Sequence, residues 1–413
     1  QQKTDLPGIA TTIRAPAANA LYCSPVFANG VLYLATKHEL SAVAADPHEP
    51  QASLAGGYWP QWRGPNRDNC STEKGLLDEW PAEGPPRLWT AAGLGEGIAS
   101  VSVAEGLIFT VGYQDDSELV VALHEATGDL AWATRIGPAV AESPLMRWLV
   151  QRVPTVDGER LYAFTAGGDL ICLRSLDGKE LWRKSYTADF GAQRPIFGFG
   201  DFPLVDEDWL ICTPAGPKSQ VVALDKKTGA VVWSTPVEGG EARVEDYGAT
   251  VMIDLGGTPI EGGLRQYVTS VNNQLTGIAA QDGRMLWTYT KPGNFTVSPH
   301  TPVVRGNRVF VSRGYNESMV LKLAREGNRV TVEEEFPWKS SVDRFQDSNV
   351  LVGEHLFNSR APGILACDRW PSREGAWRAR APGSGIASFS YADGCLYLLG
   401  GIGPSRTRSL SPS

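Results

Sequence analysis

Short apolar runs separated by polar turns fill most of this chain, and the alternation carries a longer beat. Stretches such as "ASVSVAEGLIFTVG" (99–112), "VPTVDGERLYAFTAG" (153–167), "FPLVDEDWLICTP" (202–214), "TPVVRGNRVFVSRG" (301–314), "NVLVGEHLFNS" (349–359) and "FSYADGCLYLLGG" (389–401) each read as strand, tight turn, strand. Glu105-Gly106, Asp157-Gly158, Gly306-Asn307 and Asp393-Gly394 are two-residue hairpin chemistry, where a left-handed backbone costs little. Between the hairpins a second phrase recurs: "VVALHEATGDLAW" (120–132), "LICLRSLDGKELW" (170–182), "VVALDKKTGAVVW" (221–233) and "LTGIAAQDGRMLW" (275–287). Its closing tryptophans, Trp132, Trp182, Trp233 and Trp287, stand 50, 51 and 54 residues apart. Weaker copies follow at 320–336, without the tryptophan, and at 364–377, with an altered turn.

A period near fifty marks a structural unit. Each unit is expected to hold four antiparallel strands, two from the hairpin, a third before the turn and a fourth opening on the tryptophan. Gly128 and Gly229 give the turn its positive φ. The indole is expected to fill space against the neighbouring sheet, with its N–H free to find a carbonyl. Such sheets cannot stand alone, and stacking them around an axis gives an all-β propeller. Counting hairpins from 98 to 400 predicts seven blades within a 58–400 domain, with "PPRLWTA" (85–91) as the outer strand that closes the last one. The N-terminal 1–57 includes a further hairpin and strand, "LYCSPVFANGVLYLATKHELSAVAAD" (21–46). It reads as the last blade of a preceding propeller, or as an eighth blade that takes 85–91 for its own outer strand. The tail 401–413 lacks strand alternation and is expected to be irregular, unless the N-terminal segment covers the last blade.

Composition agrees with many short strands: 45 Gly, 28 Pro and 13 Trp accompany only 4 Met in 413 residues. A formal net charge of −8 without a basic run excludes nucleic acid as a natural partner. No apolar stretch is long enough for a membrane span, and the N-terminus has no apolar export core, so any export signal lies outside this chain. Cys172, Cys212, Cys367 and Cys395 sit in apolar runs and read as buried, inert thiols. With no CxxC or HExxH motif and five scattered histidines, no metal site is expected.

These turn-tryptophan blades resemble the PQQ-like repeat β-propellers, the family of the bacterial outer-membrane assembly lipoprotein BamB. The segment "YWPQWRGPNRDNCSTEKGLLDEWPAEGPPRLW" (58–89) is similar to the leading segment of BamB-like proteins from Planctomycetes. The resemblance implies a periplasmic or cell-envelope propeller, monomeric and non-catalytic, that binds envelope proteins or peptides, or a small polar ligand. One alternative it opens is a quinoprotein-like oxidoreductase holding pyrroloquinoline quinone (PQQ) with Ca²⁺. The adjacent cysteine pair of those enzymes is missing here, as is a haem-attachment motif. A carbohydrate-binding or carbohydrate-processing propeller is a further alternative, which the Trp, Asp and Arg content permits.

A ligand site is expected where the innermost strands begin, because loops from all blades converge there. The candidates at those positions are Arg152, Asp201, Tyr247, His300, Gln346 and Asp347, with Glu96, Phe199, Asp246 and Arg344 nearby. Arg152 with Asp201 or Asp347 would suit an anionic or sugar-like ligand. The competing explanation, a solvated rim with internal salt bridges, weighs more heavily. "GLGEG" (93–97) reads as a blade-opening turn rather than a phosphate loop. Glu333, Glu334 and Glu335 read as a wet outer edge, and Asn69, Asn294 and Asn316 begin glycosylation patterns that matter only in a eukaryotic secretory setting.

Overall fold

The structure, a computed structural model, describes residues 9–10, 24–36, 38–44, 58–76, 84–96, 100–139, 152–195, 198–236, 248–257, 261–271, 274–290, 301–313, 317–337, 349–360, 364–380, 388–400 and 403–408. Alternation of apolar and polar positions has the expected result: all-β sheets of four antiparallel strands, arranged as a β-propeller. Eight such sheets are resolved. Blade 1 comprises Val26–Ala28, Val31–Ala35, Glu39–Ala44 and Arg87–Ala92. Blades 2 to 7 occupy 102–138, 155–185, 204–235, 251–289, 303–337 and 350–380, each with its strands in chain order from axis to rim. Blade 8 comprises Ser388–Ala392, Cys395–Gly400 and Gly403–Arg408, with Ile9–Ala10 as its outer strand.

Two expectations about closure are corrected. The 85–91 stretch does not complete the last blade, because Trp89 pairs with Ala42 in blade 1. Residues 403–408, expected to lie in an irregular tail, form the third strand of blade 8, on which Ile9 pairs with Thr407 and Ala10 with Arg406. The N-terminal strand therefore closes the ring. It leaves no third-to-fourth-strand turn in blade 8, since those strands come from opposite ends of the chain.

Apolar side chains fill each junction between blades. Val26, Tyr33 and Leu40 of blade 1 pack with Val103, Ile108 and Val121 of blade 2, and similar clusters follow around the ring to Phe27, Leu32 and Val43 against Cys395 and Tyr397 of blade 8. This burial is the main favourable contribution to the fold.

The repeated turn and tryptophan are two halves of one junction. Trp89, Trp132, Trp182 and Trp233 each donate the indole N–H to a carbonyl in the next blade, that of Glu125 (3.0 Å), Ser175 (3.0 Å), Lys226 (3.3 Å) and Ala280 (3.2 Å). Each accepting residue stands three positions before the turn glycine, and the indole lies over that glycine. A Cβ on Gly128, Gly178, Gly229 or Gly283 would come within 2.5, 2.3, 2.8 or 2.3 Å of its nearest neighbour, with ring atoms of the preceding blade's indole among those it meets. The glycine is thus required twice, by its positive φ and by the ring above it. Opposite each indole on the third strand stands a small residue: Ala42, Ala122, Cys172, Ala223, Gly277 or Cys367.

One extra residue precedes the ring in every such ladder: Leu88, Ala131, Leu181, Val232, Leu286, Glu335 and Ala376 in blades 1 to 7. A bulge increases local twist, and in blades 1, 3 and 4 the residue before the indole, Leu88, Leu181 or Val232, is exposed.

Where the repeat weakens, the junction changes. Phe336 takes the tryptophan's register in blade 6, opposite Val320. Trp287 faces a blade whose turn glycine, Gly327, has no ring over it, and donates instead to Gln266 Oε1 within its own blade (2.7 Å). Trp377 faces blade 8, which has no such turn, and among the described residues its buried indole N–H has no acceptor.

Candidate functional site

Blade 1 connects its third and fourth strands through a long excursion, and residues 58–76 of that excursion occupy the propeller axis. Trp59 exchanges backbone hydrogen bonds with Val103 on the inner strand of blade 2 (3.0 and 2.9 Å), and the Pro60 carbonyl accepts from Val156 of blade 3 (2.7 Å). Arg67 reaches the starts of blades 4 and 5, donating to the carbonyls of Phe202 (2.8 Å), Pro203 (2.6 Å) and Thr250 (2.9 Å), and to Gln61 Oε1 (3.0 Å). Arg63 donates to the Asn349 carbonyl beside blade 7. Asn69 and Ser71 bond the Tyr391 backbone of blade 8, Leu76 donates to Asp393 and Glu73 accepts from Gly30 of blade 1. Trp62 stacks on Phe202 with ring centroids 4.7 Å apart, in a small cluster with Val153 and Ala249. The segment is an internal plug, and among the described residues every blade except blade 6 bonds to it.

On the blade 6 side a cavity of about 340 Å³ remains between Arg63, Pro65, Asn66, Arg67 and Asp68 of the plug and the inner strands of blades 4 to 7. Its walls include Leu204, Val251, Met252, Val303, Val304 and Leu351, with Arg305 at the rim. Burial lowers the Arg67 guanidinium to about 10, because it donates to neutral oxygens and the loss of water outweighs the through-space fields of Asp201 and Cys212. Burial likewise raises the Asp68 carboxyl, against the Cys70 amide and Arg63, and raises Glu73.

Of the six sequence candidates, Arg152 and Asp201 lie within the described residues, and both are engaged inside the protein. Arg152 is buried and bonds Glu118 Oε1 (2.9 Å), the Tyr113 hydroxyl and the Phe199 carbonyl. Glu118, itself fully buried, also accepts from the Ala166 amide, at 3.2 Å to Oε1 and 3.0 Å to Oε2. Asp201 accepts from the Tyr186 hydroxyl (2.5 Å), its neighbour Phe202 (2.8 Å) and both the amide and hydroxyl of Thr213 (2.8 Å each). Two separate buried networks have therefore absorbed the pair expected to share an anion. Tyr247, His300, Gln346 and Asp347, with Asp246 and Arg344, lie outside the described residues. Glu96 forms an isolated bridge with Tyr113, as a blade-opening turn requires, and Phe199 packs in the junction of blades 3 and 4.

Smaller signals resolve the same way. Cys172, Cys212, Cys367 and Cys395 are buried and unbridged. Burial pushes the thiols of Cys172 and Cys367 up to about 12 and that of Cys212 well above its ordinary value, so none of these three is a thiolate near neutrality. The three-glutamate edge is not uniformly wet, since Glu335 grips Arg308 with both oxygens (2.5 and 2.7 Å). Asn69 is fully buried within the plug and offers no glycosylation site in the folded chain.

Sequence reasoning missed Arg63, Arg67, Asp68 and Arg305. The only local signal was two arginines flanking a Gly-Pro turn in "WRGPNRD" (62–68). Their partners are mostly backbone carbonyls far along the chain, which leave no trace in residue type.

A family model described as outer membrane protein assembly factor BamB matches residues 147–379. BamB from Moraxella catarrhalis has a similar solved structure, at 15% identity and a TM-score of 0.61, over 97% of this chain and 98% of that one. The quinohemoprotein alcohol dehydrogenase of Comamonas testosteroni matches at 12% identity and a TM-score of 0.62, over 98% of this chain and 77% of that one. A europium-containing methanol dehydrogenase matches at 9% identity and a TM-score of 0.63, over 96% and 85%. At such identities the structural likeness is one of fold. None of the curated proteins matches the sequence.

Proposed function

This chain belongs to the family of the outer membrane protein assembly factor BamB, whose model covers more than half of it, and from that membership we propose that it is a non-catalytic scaffold of the bacterial cell envelope that binds proteins or peptides. The observation that carries the proposal is the rim. On the outer strands of four consecutive blades, Leu88, Leu130, Leu181, Val231 and Val232 stand 37 to 61% exposed, and Leu176 on the adjoining turn reaches 76%. Uncovered apolar side chains that recur on neighbouring edges suit a protein partner. For Leu88, Leu181 and Val232 the bulge before the tryptophan explains how they come to face outward.

The described residues do not fit a PQQ–Ca²⁺ centre. The chain's own Trp62, Arg63 and Arg67 take up the axis, the sequence has no adjacent cysteine pair, and the described residues bring together no group of three His, Cys, Asp or Glu that could hold a metal. Arg152 and Asp201, the two sequence candidates within the described residues, are committed to internal bonds. Among the described residues no helix is long and apolar enough to cross a membrane; a place at the envelope is inferred from the family alone.

The test is site-specific photocrosslinking in the envelope fraction, with the probe at Leu130, Leu181 or Val232 and a control probe at exposed Arg329 on the blade 6 rim. Discrete envelope proteins captured at the first three positions and absent from the control are expected. Equal capture at all four positions, together with quinone-dependent dye reduction by the purified chain, would contradict the proposal.

A further inference from the structure

We infer that the axial cavity beside blade 6 is a binding site for a small ligand that carries a carboxylate on an apolar body. The inference is independent of the rim proposal, since it concerns the axis and a different class of ligand. Its size, about 340 Å³, falls in the range of small-molecule sites, roughly 300–1,000 Å³. Its described lining includes three arginines, Arg67, Arg305 and Arg63, the last bonded to the Asn349 carbonyl, and one acidic residue, Asp68. Asp68 accepts the Cys70 amide at 2.9 Å, which engages one of its oxygens within the plug. An excess of positive charge in a chain of net charge −8 is a local feature with a local cause.

Arg67 supplies the strongest reason for an anion. The residue is 3% exposed and its guanidinium donates to four neutral oxygens, so among the described residues the charge lies in a low-dielectric interior without a carboxylate bonded to it. An anion in the adjoining cavity would offset that cost. Arg305 is exposed at the mouth, where it donates to the Gly353 carbonyl in the neighbouring hairpin turn, and it is placed to meet an entering acid. The wall of Val251, Met252, Val303, Val304 and Leu351 favours an apolar body behind that charge. Met252 is 38% exposed, which leaves the wall open to solvent on one side.

A free small acid and the C-terminal carboxylate of a polypeptide share this chemistry. Calorimetric titration of the full chain with 3-phenylpropionate and its neutral amide, and with Ala-Ala-Phe and its C-terminal amide, separates them. One acid per chain should bind, with roughly tenfold preference over its amide, because a charge-assisted bond is replaced by a neutral one. Binding of the free acid alone identifies a small molecule, and tighter binding of the tripeptide identifies a chain terminus. Arg305→Gln should weaken the acid about fivefold. Met252→Glu, which sets a like charge at the mouth, should abolish binding while the melting temperature stays near wild type. Equal affinity for acid and amide, no acid binding up to about 10 mM, or acid binding untouched by both substitutions would overturn the inference.

Discussion

Gly106 and Gly229 share a φ of +72° and differ in what lies above them. Nothing stands within 4 Å of a Cβ built on Gly106, whereas one on Gly229 would lie 2.8 Å from the Trp182 ring. Gly106→Ala should therefore cost only the left-handed backbone, about 1 kcal/mol. Gly229→Ala adds displacement of a packed indole and should cost about 2–4 kcal/mol. Urea unfolding of the two variants measures the difference, and equal losses would mean that the indoles do not seat on the turns. From the other side of the same junction, Trp233→Ala should destabilise by about 3–5 kcal/mol, as large-to-small core changes do. The ring is buried and its N–H is spent on Ala280, so a melting shift no larger than that of a surface alanine would contradict the packing. This level was legible in the sequence because the turn glycine and the tryptophan are residue types with few other uses at fixed spacing. That each serves the neighbour's copy of the motif was not legible, since the indole's acceptor lies 36 to 47 positions away.

The plug is the element with the least regular structure and the most connections. Arg67→Leu would leave Gln61 Oε1 and three carbonyls short of a donor, and should cost about 2–4 kcal/mol while making the 58–76 segment the first site of protease cleavage. Cleavage first between blades, with the plug protected, would show that Arg67 does not pin it. The plug also predicts a pH response. Burial raises the Asp68 and Glu73 carboxyls in the folded chain, so the seated plug takes up protons that the unfolded chain releases. Their contribution to stability is present below the ordinary carboxylate range and is lost as the pH rises above that range through the raised values. Asp68→Asn carries no charge to desolvate, so the drop in melting temperature from pH 4.5 to 7 should be smaller than in wild type. A steeper drop would reverse the sign and refute burial as the cause. Nothing in hydrophobic periodicity announces such a segment, because it pairs with inner strands by isolated backbone bonds rather than by a ladder.

Across the whole molecule, the sequence spelled out a propeller through its fifty-residue beat and left its closure open. Ile9–Ala10 is only two residues long, and "GPSRTR" (403–408) has no apolar alternation, so neither declares itself a strand until the other is beside it. Residues 87–92 looked free to close the last blade because their actual partner, Glu39–Ala44, stands across the whole excursion that builds the plug. The polar site was illegible for a related reason: Arg152 and Asp201 were recognisable as polar residues where inner strands begin, but not which of many distant oxygens and donors would claim them. A ring of eight sheets fastened by the N-terminal strand is the claim on which the plug, the rim and the axial cavity all rest. The direct measurement is oxidative crosslinking of Ile9→Cys with Thr407→Cys or, in the adjacent register, Ala10→Cys with Arg406→Cys, followed by peptide mass analysis without reduction. An intramolecular link between the two terminal peptides in at least one pair, with a raised melting temperature, is the predicted result; folded protein in which neither pair links, or links form only between chains, would contradict it.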